Sequence, residues 1–137
     1  MFERIIVAAD GSAEGSKTVP AAIDLAKKYG STVTVVHVRE FEKYEGSEVD
    51  LGPPQEAQPL VDEVVARFTE AGVDARGEIR KVTPGQTSDE IVRVAKRFDA
   101  NLIVMGTRGM SELRSLVLGG VANKVVHQAH CPVLLVR

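Results

Sequence analysis

Residues 102–109 read Leu102-Ile103-Val104-Met105-Gly106-Thr107-Arg108-Gly109: four apolar residues run into a glycine, two polar residues and a second glycine. An apolar run this short, without polar alternation, fits a strand covered on both faces, as in a parallel sheet. Three other stretches share its character: Ile5-Ile6-Val7-Ala8-Ala9, Val33 to Val38, and Val133-Leu134-Leu135-Val136. Between these runs the apolar residues recur at helical spacing. Ala22, Leu25, Ala26 and Tyr29 share one face, as do Leu60, Val61, Val64, Val65 and Phe68, then Ile91, Val94, Ala95 and Phe98, and last Val121, Ala122, Val125, Val126 and Ala129. Gly30 and Gly72 stand where helices end, Ser88 is the expected N-cap of the third helix with Asp89 and Glu90 in its first turn, and Pro132 restarts an extended segment. Pro20 falls inside the first helix if Ser12 is its N-cap, so either that helix kinks or its regular part begins near Thr18.

A fifth strand is expected from Ala75 to Val82. Its Arg76, Glu78, Arg80 and Lys81 are too charged for a doubly covered position, which puts it at an edge. Alternation of strand and helix then gives an α/β fold, an open five-stranded parallel sheet with four helices on its two faces and right-handed crossovers. Glu40 to Gln58, with Gly46, Gly52, Pro53 and Pro54 among several acids, has neither period and is read as a mobile loop placed to cover a ligand site.

The chain of 137 residues is the size of one domain, taken as 1–137. Seventeen Lys and Arg against nineteen Asp and Glu leave a net charge of -2, which argues against a nucleic-acid groove or an anionic-membrane patch. The single cysteine, Cys131, cannot close an intrachain disulfide and is read as a small buried residue. The start lacks the pattern of a signal peptide, and no apolar run reaches the ~18 residues of a membrane span, so a cytoplasmic protein is expected.

In open α/β sheets, ligands bind beyond the carboxyl ends of the strands where the strand order reverses. Two segments qualify: Ala9-Asp10-Gly11-Ser12, and Gly106 to Gly109 continuing to Gly119-Gly120. The second matches neither a Walker A loop nor the dinucleotide fingerprint. It offers bare backbone and the amides of a helix N-terminus, an anion cradle suited to phosphate, or equally a glycine-rich turn kept for tight packing. Asp10 is placed to accept from ribose hydroxyls or to hold magnesium; the competing role is helix capping with Ser12. His37 lies on a strand, and His127 and His130 near a helix end suggest no zinc site. No nucleophile with a base and no carboxylate pair can be assigned, so no catalytic residue is expected.

The chain resembles the universal stress proteins essentially end to end. The resemblance rests on residues 5–12, on Val36-His37-Val38, on Met105-Gly106-Thr107-Arg108-Gly109 and on Cys131-Pro132-Val133-Leu134-Leu135-Val136. The family's nucleotide-binding branch carries Gly-x2-Gly-x9-Gly-Ser/Thr, and Gly106, Gly109 and Gly119 match that spacing. The resemblance implies a sheet of order 3-2-1-4-5 and a site for ATP, ADP or AMP, with or without Mg2+. That site would comprise Ala9, Asp10, Val38, Met105, Gly106, Arg108, Gly109, Gly119, Gly120, Val121 and Ala122. In it Asp10 holds the ribose, Val38 offers its backbone to adenine, and the glycines and following amides take the phosphates.

The resemblance also implies a homodimer through Val133, Leu134, Leu135 and Val136, and a regulatory role in stress with an unidentified protein partner. The family's Gly-Ser-Val-Ser/Thr stands here as Gly119-Gly120-Val121-Ala122, without two hydroxyls that would face the phosphates. Three readings follow: a nucleotide-responsive dimer, a protein-interaction dimer with a vestigial crevice, and, less favoured, a slow ATPase.

Overall fold

The computed structural model describes residues 1–11, 13–107 and 119–137, residues 13–16 by their backbone alone. Its elements run β1 (Arg4–Ala8), α1 (Ala13–Tyr29), β2 (Thr32–Tyr44), β3 (Ser47–Asp50), α2 (Ala57–Glu70), β4 (Asp74–Val82), α3 (Thr87–Arg97), β5 (Leu102–Gly106), α4 (Gly120–Gln128) and β6 (Val133–Val136). The parallel strands lie in the order β4-β2-β1-β5-β6. This is the α/β class read from the sequence and the 3-2-1-4-5 arrangement that the resemblance implies, with one strand added.

Because side chains alternate across a strand, β1 serves two cores. Ile5 and Val7 join Val19, Ala22 and Ala26 of α1 and Leu60, Val61 and Phe68 of α2. Ile6 on the other face joins Ile91, Val94 and Ala95 of α3 and Ala122 and Val125 of α4. Both faces of the sheet are thus covered, which is why the central strands tolerate no polar alternation. Gly77 of β4 lets α2 approach closely, since a Cβ there would lie 2.3 Å from Val61 Cγ1. Gly77→Ala should therefore lower stability by about 1–3 kcal/mol through overpacking, to be read from thermal or urea unfolding.

Several local expectations are corrected. Residues 40–58 are not simply a loop: β2 continues to Tyr44, turns through Glu45-Gly46 and pairs antiparallel with β3, and α2 begins at Ala57. The Lys81 ammonium sits over the Phe41 ring at 4.5 Å and pairs with Glu48, fastening this hairpin to β4. Ser88 is not the cap of α3 but is buried within its first turn, and Gln86 holds the capping position. Thr87 Oγ1 instead donates to Glu40 Oε2 at 2.7 Å, tying the start of α3 to β2. Helix α1 runs through Pro20 from Ala13; the expected cap, Ser12, lies outside the described residues. Val121 and Val126 are exposed, so the buried stripe of α4 is narrower than its sequence suggests. Cys131 is half-buried, and burial raises its thiol pKa, which keeps it protonated and unreactive.

Candidate functional site

The first half of the site forms where β1 stops. Its last rung is the Ala9 N–H donating to the Val36 carbonyl at 2.9 Å. The chain then turns away at Asp10-Gly11, where Gly11 takes a left-handed φ of 81°. A Cβ at Gly11 would lie 3.0 Å from Leu60 Cδ1 and 3.3 Å from Pro53 Cγ, so the turn is held under α2 and the segment following β3. Glycine meets both demands at once.

The geometry of β2 opens a gap above that turn. Thr32 N–H donates to the Glu3 carbonyl and the Val36 carbonyl accepts from Ala9, so the even-numbered residues of β2 direct their backbone polar groups toward β1. The register with β4 is unbroken from Thr32 to Glu40, so this alternation carries through without a bulge. Leu51 N–H donates to the Glu40 carbonyl at 2.8 Å, which places the chain leaving β3 on the same edge, beyond the end of β1. Val38 lies midway between these two bonds. Its N–H and C=O face an opening about 13 Å long, four strand residues at ~3.3 Å each, and have no backbone partner there among the described residues.

The second half comes from β5 and α4. Val7 pairs with Val104, and the same register continued sets Ala9 level with Gly106 and Asp10 level with Thr107. Since β1 is followed by β2 on one side and lies beside β5 on the other, this is where the strand order reverses. Thr107 N–H donates to the Val136 carbonyl at 3.1 Å, and Gly119 N–H to the Thr107 carbonyl at 2.7 Å. Gly119 caps α4 with extended backbone (φ -60°, ψ 153°) and no side-chain bond. The Asn123 N–H to Gly119 carbonyl bond, 2.9 Å, closes the first turn. The amides of Gly120, Val121 and Ala122 thus precede the helix's own ladder and carry its partial positive charge.

The two positions that lack the motif hydroxyls differ. Gly120 is exposed, and beyond its chain neighbours and its own helix no described residue comes within 4 Å of where a Cβ would stand. The Ala122 methyl is buried in the core cluster with Ile6 and Met105, so at that position only the backbone amide is turned to the helix end. Ala9 and Met105 are likewise buried, Ala9 in the cluster with Ile5 and Val7 and Met105 in the opposite cluster with Ile6. Arg108 and Gly109, expected at the phosphates, lie outside the described residues.

A buried polar chain that the sequence reading missed runs behind Ala9. His37, 1% exposed, places Nδ1 2.7 Å from the Ala9 carbonyl oxygen and Nε2 3.1 Å from a terminal nitrogen of Arg39. Arg39, itself buried, donates to the Gln55 carbonyl at 2.9 Å, to the Pro53 carbonyl, and through Nε to the Asp50 carboxylate at 3.0 Å. Burial pushes the His37 pKa below its ordinary value and the Arg39 charge adds to this, while the Ala9 carbonyl, Asp10 and Asp50 oppose it.

The model of the universal stress protein family matches residues 1–137. A universal stress protein of Thermus aquaticus is 35% identical over 147 aligned residues, covering the whole of both chains. The universal stress protein of Archaeoglobus fulgidus superposes with a TM-score of 0.78 at 27% identity over all of both chains. A universal stress protein structure from that organism in complex with dAMP gives 0.73 at 26% identity, again over all of both chains. A family match from the first residue to the last, on a sheet that reverses at Asp10 and Gly106, leaves one assignment: the chain belongs to the universal stress protein family.

Proposed function

We propose that the chain binds an adenine nucleotide in the crevice between β1 and β5 and acts as a homodimeric, nucleotide-responsive regulatory module rather than by turnover. The observation that carries this reading is the opening on β2, where the N–H and the C=O of Val38, without a backbone partner among the described residues, stand together between Ala9 and Leu51. A donor and an acceptor at that spacing suit the edge of adenine, which itself offers one of each. Asp10 is at the height where a ribose would follow, and the amides of α4 lie on the β5 side to receive phosphate. A relative that binds dAMP supports the same choice of ligand. Magnesium would enter with a di- or triphosphate, taking phosphate oxygens and water as ligands, with the Asp10 carboxylate kept for the ribose. Mass spectrometry of the gently purified protein tests the reading directly: carried-over adenine nucleotide is expected. Its absence, together with no calorimetric binding of AMP, ADP or ATP, overturns the reading.

The space around Gly120 permits a sharper test. Gly120→Ser should add one donor at the positive end of α4, where a bond to a charged oxygen contributes roughly 1.5–3 kcal/mol before ordering costs. The gain should be larger for ATP than for AMP, because adenine and ribose lie beyond the hydroxyl's reach. An equal gain for both nucleotides would remove position 120 from the distal phosphates.

The dimer is proposed on β6. That strand pairs with β5 on one side, has no further pairing among the described residues, and exposes Leu134. An apolar strand with one open edge is completed by antiparallel pairing with a second copy. Sedimentation at micromolar concentration should give a dimer, and Leu135→Pro, which removes a backbone donor from the strand, should yield more monomer. A clean monomer for the parent protein sinks this assembly. The protein-interaction reading is favoured by a different feature, the exposed Tyr44, Val49 and Leu51 on the β2–β3 hairpin, and becomes the preferred one if no nucleotide binds.

A further inference from the structure

In a parallel ladder that has just used the Ala9 N–H and the Val36 carbonyl, the next rung is Val38 N–H to the Ala9 carbonyl. That rung is not made, and the Ala9 carbonyl is met by the His37 ring instead. Only one arrangement of protons satisfies His37. A carbonyl can only accept, so Nδ1 must carry the hydrogen, and a guanidinium can only donate, so Nε2 must present its lone pair to Arg39. The ring is therefore neutral and fixed in one tautomer. Arg39 is fixed in turn by the carbonyls of Pro53 and Gln55 and by Asp50, and Pro53 packs over Gly11.

We infer that His37 is a positioning residue for the nucleotide site: its Nδ1–H holds the Ala9 carbonyl out of the sheet ladder and so leaves the Val38 amide open to a base. The consequence for binding rests on the adenine-nucleotide reading above; the holding of the amide does not. The same arrangement makes the site sensitive to acid. A proton on Nε2 would point at the Arg39 guanidinium, and two like charges in a buried space separate by moving Arg39 or the ring. The charged groups acting on His37 are Arg39 on its own strand, Asp10 from the turn after β1 and Asp50 from the end of β3, and burial outweighs the two acids. The folded state therefore resists a proton that the unfolded chain accepts near pH 6.5. This stabilisation is complete above about pH 6.5 and is lost as the pH falls from there toward the depressed folded value.

Three measurements test the inference. Nitrogen-15 shifts of the wild-type imidazoles near neutral pH should show His37 with hydrogen on Nδ1 and a bare Nε2; the opposite tautomer overturns the proposal, because Nδ1 would have nothing to donate. Hydrogen exchange without nucleotide should find the Val38 amide at least about tenfold slower in His37→Val, where the rung can close, than in the wild type. His37→Asn, whose amide nitrogen stands near the place of Nδ1, should retain the fast exchange, and equal rates in wild type and His37→Val refute the idea. Titration with AMP above pH 7 should show about tenfold weaker binding for His37→Val and little change for His37→Asn.

Acidification below pH 6.5, down into the range of the depressed His37 pKa of the folded protein, should weaken AMP more for the wild type than for His37→Asn. The AMP phosphate also titrates near pH 6, but it does so for both proteins, so the difference between the profiles belongs to His37. Identical profiles, or an unchanged affinity in a His37→Val protein whose Val38 amide has become protected, remove the role in binding. A wild type that binds no AMP defeats the nucleotide reading, while tautomer and exchange still decide what His37 holds. Should His37→Val fail to fold, the tautomer and the pH comparison remain decisive.

Discussion

Arg39→Met is expected to lower the unfolding free energy by roughly 2–4 kcal/mol, and Asp50→Asn by less than about 1 kcal/mol. The asymmetry follows from where the partners sit. Removing the guanidinium leaves the Pro53 and Gln55 carbonyls and the His37 Nε2 without their donor, and the Pro53 contact is buried. Each buried acceptor so abandoned costs about 1–3 kcal/mol, offset in part by no longer desolvating a cation. The Asp50 carboxylate is 41% exposed and rehydrates readily, and an asparagine there can still accept from Nε and from the Gly52 N–H. Urea unfolding of the two variants decides the matter. Equal losses would mean that the ion pair, rather than the bonds to carbonyls, fastens residues 50–55 to β2. Because Pro53 lies against Gly11, the Arg39 variant should also loosen the turn beside Asp10, visible as faster exchange of the Gly11 amide.

The parts of this structure that a reader could find in the sequence are those where one physical demand acts alone. Ile5 to Ala8 and Leu102 to Met105 are packed from both faces, so their apolarity is continuous and announces a parallel sheet. The charges of β4 mark an edge for the same reason in reverse: among the described residues it pairs with β2 alone. The hairpin was hidden because its signals conflict. Arg39-Glu40-Phe41-Glu42-Lys43-Tyr44 is too polar for a central strand, and the turn that follows places both Glu45 (φ 50°) and Gly46 (φ 83°) in the left-handed region. Such a turn is ordinarily announced by Asn-Gly or Asp-Gly, and glutamate at its first position gives no such notice.

The site divides in the same way. The glycines at 106 and 119 stand out in the sequence because they fall at a strand end and a helix start, where bare backbone serves either a ligand or tight packing. His37 and Arg39 were illegible because what they do depends on three chain segments meeting. A histidine in the middle of an apolar strand announces a buried ring but not which carbonyl it will find. Arg39 would be read from sequence as the first solvated residue after the strand, and it is instead 6% exposed. The one available hint was the Gly52-Pro53-Pro54 run, whose stiff backbone supplies carbonyls that a buried guanidinium can satisfy.

Asp10→Ala should weaken AMP, ADP and ATP alike by roughly 1.5–3 kcal/mol, the value of a lost charge-assisted hydrogen bond, a factor of about 10–150 in affinity. The loss should be uniform because the ribose is common to the three ligands and the proposed site takes the phosphates elsewhere, at the amides of α4. A magnesium-holding role would instead make the loss grow with the number of phosphates, so the series separates the two tasks for the carboxylate. The competing structural task is capping of α1, which begins at Ala13. Asn caps a helix about as well as Asp, whereas a neutral amide oxygen accepts from a hydroxyl more weakly than a carboxylate. Asp10→Asn should therefore melt close to the parent temperature and still bind all three nucleotides less tightly. Comparison of AMP with dAMP adds the stereochemical check. If the carboxylate reaches the 2′-hydroxyl, any preference of the parent protein for AMP should vanish in Asp10→Ala. A preference that persists in the variant, or a melting temperature that falls while affinity is unchanged, would leave Asp10 as a cap and move the recognition of ribose to another residue.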